Sequence, residues 1–145
     1  VTPRVHIRLV TSDEDLSACI AIRRTVFIEG QGVPEPDEFD GLDPECTHLI
    51  AETASGPVGT VRLRISPEGL AKLERLAVLE EHRGAGIGGL LTRALEREAR
   101  RLGHAQVVLG AQVRAIAFYE GLGYAAEGPV YDDAGIPHRL MRREI

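Results

Sequence analysis

The segment Arg83-Gly84-Ala85-Gly86-Ile87-Gly88-Gly89 carries the clearest chemistry in the chain. It lies between a run that reads as a strand and a run that reads as a helix. At such a junction unpaired backbone N–H groups and the helix dipole hold an anion, a phosphate above all. Glycines let the backbone approach that ligand with no Cβ in the way. As Gly84-x-Gly86-x-x-Gly89 the segment matches a dinucleotide fingerprint, so a nicotinamide-dependent oxidoreductase is one reading. That fingerprint wants an acid about 20 residues on, after the next strand. Here Gln106 to Gly110 is followed by no acid before Glu120. A P-loop is excluded, because no Gly-Lys-Ser/Thr occurs. The segment also reads as Arg83-x-x-Gly86-x-Gly88. A structural strand–helix corner recruits glycine too, but four glycines between 84 and 89 exceed that need.

The elements that must position this loop follow from periodicity. Val5 to Val10 alternates and predicts a strand. Ser12 then caps a helix of about four turns, with acids in its first turn and Leu16, Cys19, Ile20, Arg23 and Phe27 at helical spacing. Gly30, Gly32, Pro34 and Pro36 break it. Glu29 to Cys46 exceeds the usual connection of about 12–15 residues and predicts an ordered lid pinned by Val33, Phe39 and Leu42. His48–Thr53 and Val58–Ile65 read as an antiparallel hairpin turning at Ser55-Gly56, and Leu73–Leu79 as a further strand.

After the loop, Ile87, Leu91, Ala94, Leu95, Ala99 and Leu102 mark the core face of a helix. Arg93, Glu96, Arg97 and Arg100 mark its solvent face, and Gly103 its end. Gln106–Leu109 predicts a buried strand, Ala115–Glu120 a short helix, Tyr124–Glu127 a strand and Pro137–Arg143 a final edge strand. Short turns join the early strands and helices the later ones. The expected fold is therefore α+β: six to seven strands, antiparallel in the first half, a parallel central pair and about four flanking helices.

The chain has 145 residues, which predicts a single domain over 1–145. Its formal net charge of -5 and the lack of a basic run argue against nucleic-acid binding. No stretch approaches the roughly 18 apolar residues of a membrane span, and no secretory leader is evident, so a cytoplasmic protein without membrane partners is expected. Cys19 and Cys46 stand apart from any CxxC or Cys/His cluster. They read as free thiols, neither nucleophile nor metal ligand, and no metal is expected.

At two motifs the sequence resembles the GNAT superfamily of N-acetyltransferases. Residues 76 to 91, Leu-Ala-Val-Leu-Glu-Glu-His-Arg-Gly-Ala-Gly-Ile-Gly-Gly-Leu-Leu, are similar to that family's acetyl-CoA motif. Ala117-Phe118-Tyr119-Glu120-Gly121-Leu122-Gly123-Tyr124 is similar to its second motif. Arg23-x-x-Val26-Phe27, Gln31-x-Val33-Pro34, Glu38-Phe39-Asp40, His48-Leu49, Ala111-Gln112 and Gly135-Ile136-Pro137-His138 resemble the ElaA/YjcF-like branch. The chain departs from that branch at Gly30, where a glutamate is usual, and at Arg114.

The resemblance implies an acyltransferase moving an acetyl group from acetyl-CoA to the primary amine of a small-molecule or peptide acceptor, by direct attack and without an acyl-enzyme. It implies that Arg83, Gly84, Ala85, Gly86, Ile87, Gly88 and Gly89 hold the pyrophosphate. Leu76, Ala77 and Val78 would pair their backbone with the pantetheine, a backbone N–H such as that of Val78 meeting the thioester carbonyl. Gln112 would bond the pantetheine, and Arg114 would join Arg83 near the phosphates. Tyr119 would return a proton to the leaving thiolate, with Phe118 in the core. Arg23, Glu38, His48 and His138 would line the acceptor pocket. The general base is open among Glu38, Asp40, Glu74, His48, His138 and an ordered water. A non-catalytic acetyl-CoA-binding or sensing module is the alternative, and monomer or homodimer are both compatible.

Overall fold

The computed structural model describes residues 4–145. Among these, seven strands form one mixed sheet in the order β1-β2-β3-β4-β5-β7-β6. β1 (His6–Leu9), β2 (Thr47–Thr53), β3 (Gly56–Ile65) and β4 (Ala71–Val78) run antiparallel in sequence. β4 and β5 (Gln106–Gln112) are parallel, and the crossover between them carries the glycine-rich loop and α3 (Ile87–Arg101). α1 (Asp13–Arg23) starts at Ser12, whose hydroxyl accepts from the Asp15 N–H at 3.1 Å. It runs on as a π-helical turn over Arg24–Glu29.

Strand alternation places α1 and α3 on opposite faces of the sheet. Ala77, opposite Thr60 on β3, packs with Ile22 of α1 and Val26 of the π-helical turn. The next β3 residue, Val61, points the other way and joins Leu63, Leu73, Leu91 and Leu95 in the main core under α3.

β6 (Ala125–Asp133) and β7 (Ile136–Glu144) form the last hairpin. β7 lies inside the sheet between β5 and β6, so the last strand is not the edge the sequence predicts. The physical reason is composition. β7 brings the buried Met141 against Leu109 of β5 and Ala126 of β6. β6, with Glu127, Gly128, Pro129 and two aspartates, is built for an edge, where proline costs no ladder bond.

α3 corrects the sequence reading twice. Leu102, expected in the core, is exposed, and Glu96, expected in water, is buried. The Glu96 carboxylate accepts from the Tyr124 hydroxyl at 2.8 Å and from Arg143 at 2.9 Å. It thereby ties α3 to the start of the last hairpin. Gly123 makes the approach possible: it takes a left-handed φ of 96°, and a Cβ there would meet the Arg143 guanidinium at 2.9 Å. Removing one partner of a buried charged pair strands the other. Glu96→Ala should therefore lower unfolding free energy by roughly 2–4 kcal/mol. Urea denaturation of the two proteins measures that difference; a loss below half a kcal/mol contradicts it.

Candidate active site

β4 contains one residue more than its neighbour can match. Thr60 pairs with Ala77, but two residues on, Arg62 pairs with Glu74, three residues back. The extra residue is taken up at Arg75, whose φ is +58°, a left-handed backbone in mid-strand. Such a bulge bends and twists its strand. Below it Lys72 pairs with Val108 of β5, the sole paired position between these strands among the described residues; above it they part. The wedge between them opens into a cleft of about 990 Å³.

The upper half of β4 turns backbone towards that cleft. Leu79 N–H donates to Val58 on β3 at 2.9 Å. The alternation of an antiparallel ladder then turns the N–H and C=O of Val78, and of Leu76 two residues earlier, away from β3 towards the gap. Leu76, Ala77 and Val78 all line the cleft.

The glycine-rich loop forms one end of the cleft. Gly84 and Gly86 both take φ of +80°, which no side chain tolerates easily, and Gly86 caps α3. Arg83 bends back so that its Nε donates to the Val78 carbonyl at 3.0 Å. Gly88 lies under the Phe118 ring, where a Cβ would come within 3.1 Å. Phe118 is thus a cleft residue, half-exposed rather than the core residue the sequence predicts. Arg83, Gly84, Gly86, Ile87 and Gly88 line the cleft, while Ala85 and Gly89 lie outside its lining.

Opposite β4 stands α4 (Ile116–Gly121), which carries Tyr119. Its ring is held edge-on between Phe118, centroids 4.9 Å apart, and Tyr124, 5.9 Å apart. Burial alone pushes its phenol well above the usual range. Tyr119 therefore stays protonated, and it lines the same cleft.

The segment from Glu29 to Cys46 is ordered, as expected of a lid, and charge holds it. α2 (Glu35–Glu38) ends at the buried Glu38. Arg23 bonds Glu38 at 2.8 Å and Asp43 at 2.8 Å; Arg62 bonds Asp40 at 2.9 Å, Asp43 at 3.0 Å and Glu74 at 2.7 Å. Arg75 adds Glu38 at 3.1 Å and Asp40 at 3.3 Å. Hydrogen bonding to Arg62 holds Asp40 well below the usual carboxylate range. Burial acts to raise Asp43 and Glu74, yet their arginines outweigh it and hold both low. Burial pushes Glu38 up, against the pull of Arg75 and Arg23.

Two residues the sequence assigns to the acceptor pocket stand outside this cleft. Arg23 is buried behind the lid, spent on Glu38 and Asp43. His48 is buried beside it, its Nε2 bonded to the Asp43 carbonyl at 2.9 Å. Glu38 does line the cleft, but as a partner of Arg23 and Arg75 rather than a free acid. His138 lines the cleft with an unspent nitrogen. Its Nδ1 lies 2.7 Å from the Ile136 carbonyl. A carbonyl only accepts, so Nδ1 carries a proton; Nε2 makes no hydrogen bond among the described residues and lies 4.0 Å from the Asp133 carboxylate. Gln112 also lines the cleft; its amide donates to Gln31 of the lid at 2.8 Å and accepts from Arg114 at 3.1 Å.

The family model of the acetyltransferase (GNAT) domain matches residues 35–145. YjcF, an N-acetyltransferase of Bacillus subtilis, is 37% identical over 137 residues, covering 94% of this chain and 97% of its own. An acyl-CoA N-acyltransferase from Pseudomonas aeruginosa superposes with a TM-score of 0.86 at 30% identity, covering 97% of this chain and 99% of its own. Escherichia coli ElaA gives 0.85 at 27% identity, covering 97% and 100%. The chain belongs to the GNAT acetyltransferase family. It is an acyltransferase, and the resemblance to YjcF and ElaA holds.

For this GNAT enzyme the cleft residues that the sequence left without a role include Gln31, Lys72, Arg75 and Tyr131. Arg75 gives no signal, since nothing in its type announces a left-handed backbone. Tyr131 had one: Gly110, a glycine inside a strand, marks a close approach.

His48 makes the lid's anchorage sensitive to acid. Burial holds its imidazole below the ordinary 6.5, so the folded protein favours the neutral ring. The unfolded chain takes up the proton first, so this contribution is complete above pH 6.5 and is lost as pH falls below it. The melting temperature should drop between pH 7 and 5, before the aspartates titrate, and His48→Gln should flatten that drop. Thermal melts across the range check it; an unchanged slope in the variant contradicts it.

Proposed function

We propose that this enzyme transfers the acetyl group of acetyl-CoA to the primary amine of a small molecule by direct attack in a ternary complex. One observation carries the reading. Beyond the bulge at Arg75 the N–H groups of Leu76 and Val78 turn to the gap, and Tyr119 and His138 line the same cleft.

GNAT enzymes use acetyl-CoA, and the residues present suit it. The left-handed glycines at 84 and 86 leave open space where side chains would stand, at the N-terminus of a 15-residue helix. The outward N–H groups of Leu76 and Val78 suit a pantetheine laid along β4 as an added strand, and one of them a thioester carbonyl.

The amine nitrogen bonds to the carbonyl carbon as the carbon–sulfur bond breaks. His138 Nε2 takes the proton the amine loses, and Tyr119 gives one to sulfur, so the products are an amide and free CoA thiol. The other base candidates are engaged. Arginines saturate Glu38, Asp40 and Glu74, and His48 lies behind the lid. With Glu38 and Asp40 so engaged, neither is free to select a cationic amine.

Tyr119→Phe should lower kcat by roughly 10²-fold, within the range of one general acid, while the Kd for CoA stays within about twofold. Gly86→Val should do the reverse and weaken CoA binding by at least about tenfold, since it strains the loop that meets the phosphates. Thiol release over a panel of amines and calorimetry with CoA measure the two. CoA binding without thiol release from any amine would favour a non-catalytic sensing module instead.

A further inference from the structure

Tyr131 has no part in the chemistry above, yet its position is costly to explain otherwise. It stands on the edge strand β6 and is 42% exposed, so burial of its ring does not account for where it sits. In register it lies opposite His138 on β7, and His138 lies opposite Gln112 on β5. Residues two apart share a face, so Gly110 and Gln112 present the same side of β5. All four line the cleft.

The Tyr131 ring stacks on the His138 imidazole, centroids 5.8 Å apart and planes inclined 27°. Its hydroxyl continues over β7 to Gly110, where a Cβ would overlap it. Gly110 has no left-handed φ, so the backbone does not demand glycine there; the seat of the tyrosine does. His138 is thus held on two sides, by the Ile136 carbonyl at Nδ1 and by the Tyr131 face.

We propose that Tyr131, seated on Gly110, is a positioning residue for His138: its ring blocks rotation of the imidazole and so fixes Nδ1 as the protonated and Nε2 as the basic nitrogen. The proposal rests on the reading of His138 as the general base. Asp133, 4.0 Å from Nε2 and largely exposed, is the charged group that faces the ring from the β6 end.

The test uses ¹⁵N-labelled full-length protein and two variants that act from opposite ends, Tyr131→Ala and Gly110→Ala. The ring nitrogens of His138 should report the Nδ1–H form in the wild type and in Tyr131→Phe, which keeps the stack. Both alanine variants should shift towards the Nε2–H form or a mixture. Their kcat should fall roughly 10- to 100-fold, as expected of a misplaced catalytic group, with KM for acetyl-CoA unchanged within about twofold. Retention of the Nδ1–H form and of kcat in Tyr131→Ala overturns the proposal. So does a loss in Tyr131→Phe equal to that in Tyr131→Ala, which would assign the role to the hydroxyl. A His138→Gln enzyme with wild-type turnover would sink the base assignment instead, and the tautomer measurement would still decide whether Tyr131 fixes the ring.

Discussion

A left-handed arginine in the middle of a strand costs about 1–2 kcal/mol and persists only where its surroundings hold it. Arg75 is held by the lid. Its guanidinium reaches the Glu38 carboxylate, the Asp40 carboxylate and the main-chain carbonyls of Asp37 and Glu38. The bulge it creates shifts the register against β3 and lets β4 leave β5. One residue therefore both opens the cleft and fastens the segment that covers it. The backbone presented by Leu76 and Val78, the room in front of Tyr119 and the approach to His138 all follow from that divergence.

The lid is an electrostatic object more than an apolar one. Val33 is buried, but most of what fixes the segment is a set of carboxylates answering three arginines. Buried ion pairs contribute little net stability, since desolvation offsets most of the attraction. Their value lies in geometry: planar guanidinium groups accept few alternative arrangements. The same network explains why so many acids near the cleft are poor candidates for catalysis. A carboxylate shared between two guanidinium groups has its lone pairs already engaged, and His48 beside them is shut away from the cleft.

Much of this was legible beforehand, and the failures have physical causes. The glycine-rich corner, the parallel crossover and the short helix that carries Tyr119 are local: each depends on residue types within one strand–helix unit, and periodicity or motif grids report such units. The misplacements are all long-range. Glu96 looks solvated on its own helix, and only Tyr124 and Arg143, distant in sequence, make burial tolerable. Arg23 and His48 look like pocket residues until the loop that follows folds over them with its own acids. The order of β6 and β7 rests on which strand pairs with β5, a tertiary choice signalled only faintly by Gly128-Pro129. Phe118 reads as core because its exposed face is the wall of a cleft.

The account stands or falls on where the reacting sulfur lies. A crystal structure with CoA bound measures this directly. The wedge model predicts pantetheine paired with the outward backbone of Leu76 and Val78, and the sulfur within about 3.5 Å of the Tyr119 hydroxyl. CoA seated away from the gap between β4 and β5, or a sulfur more than about 6 Å from that hydroxyl, well beyond hydrogen-bond reach, would contradict it.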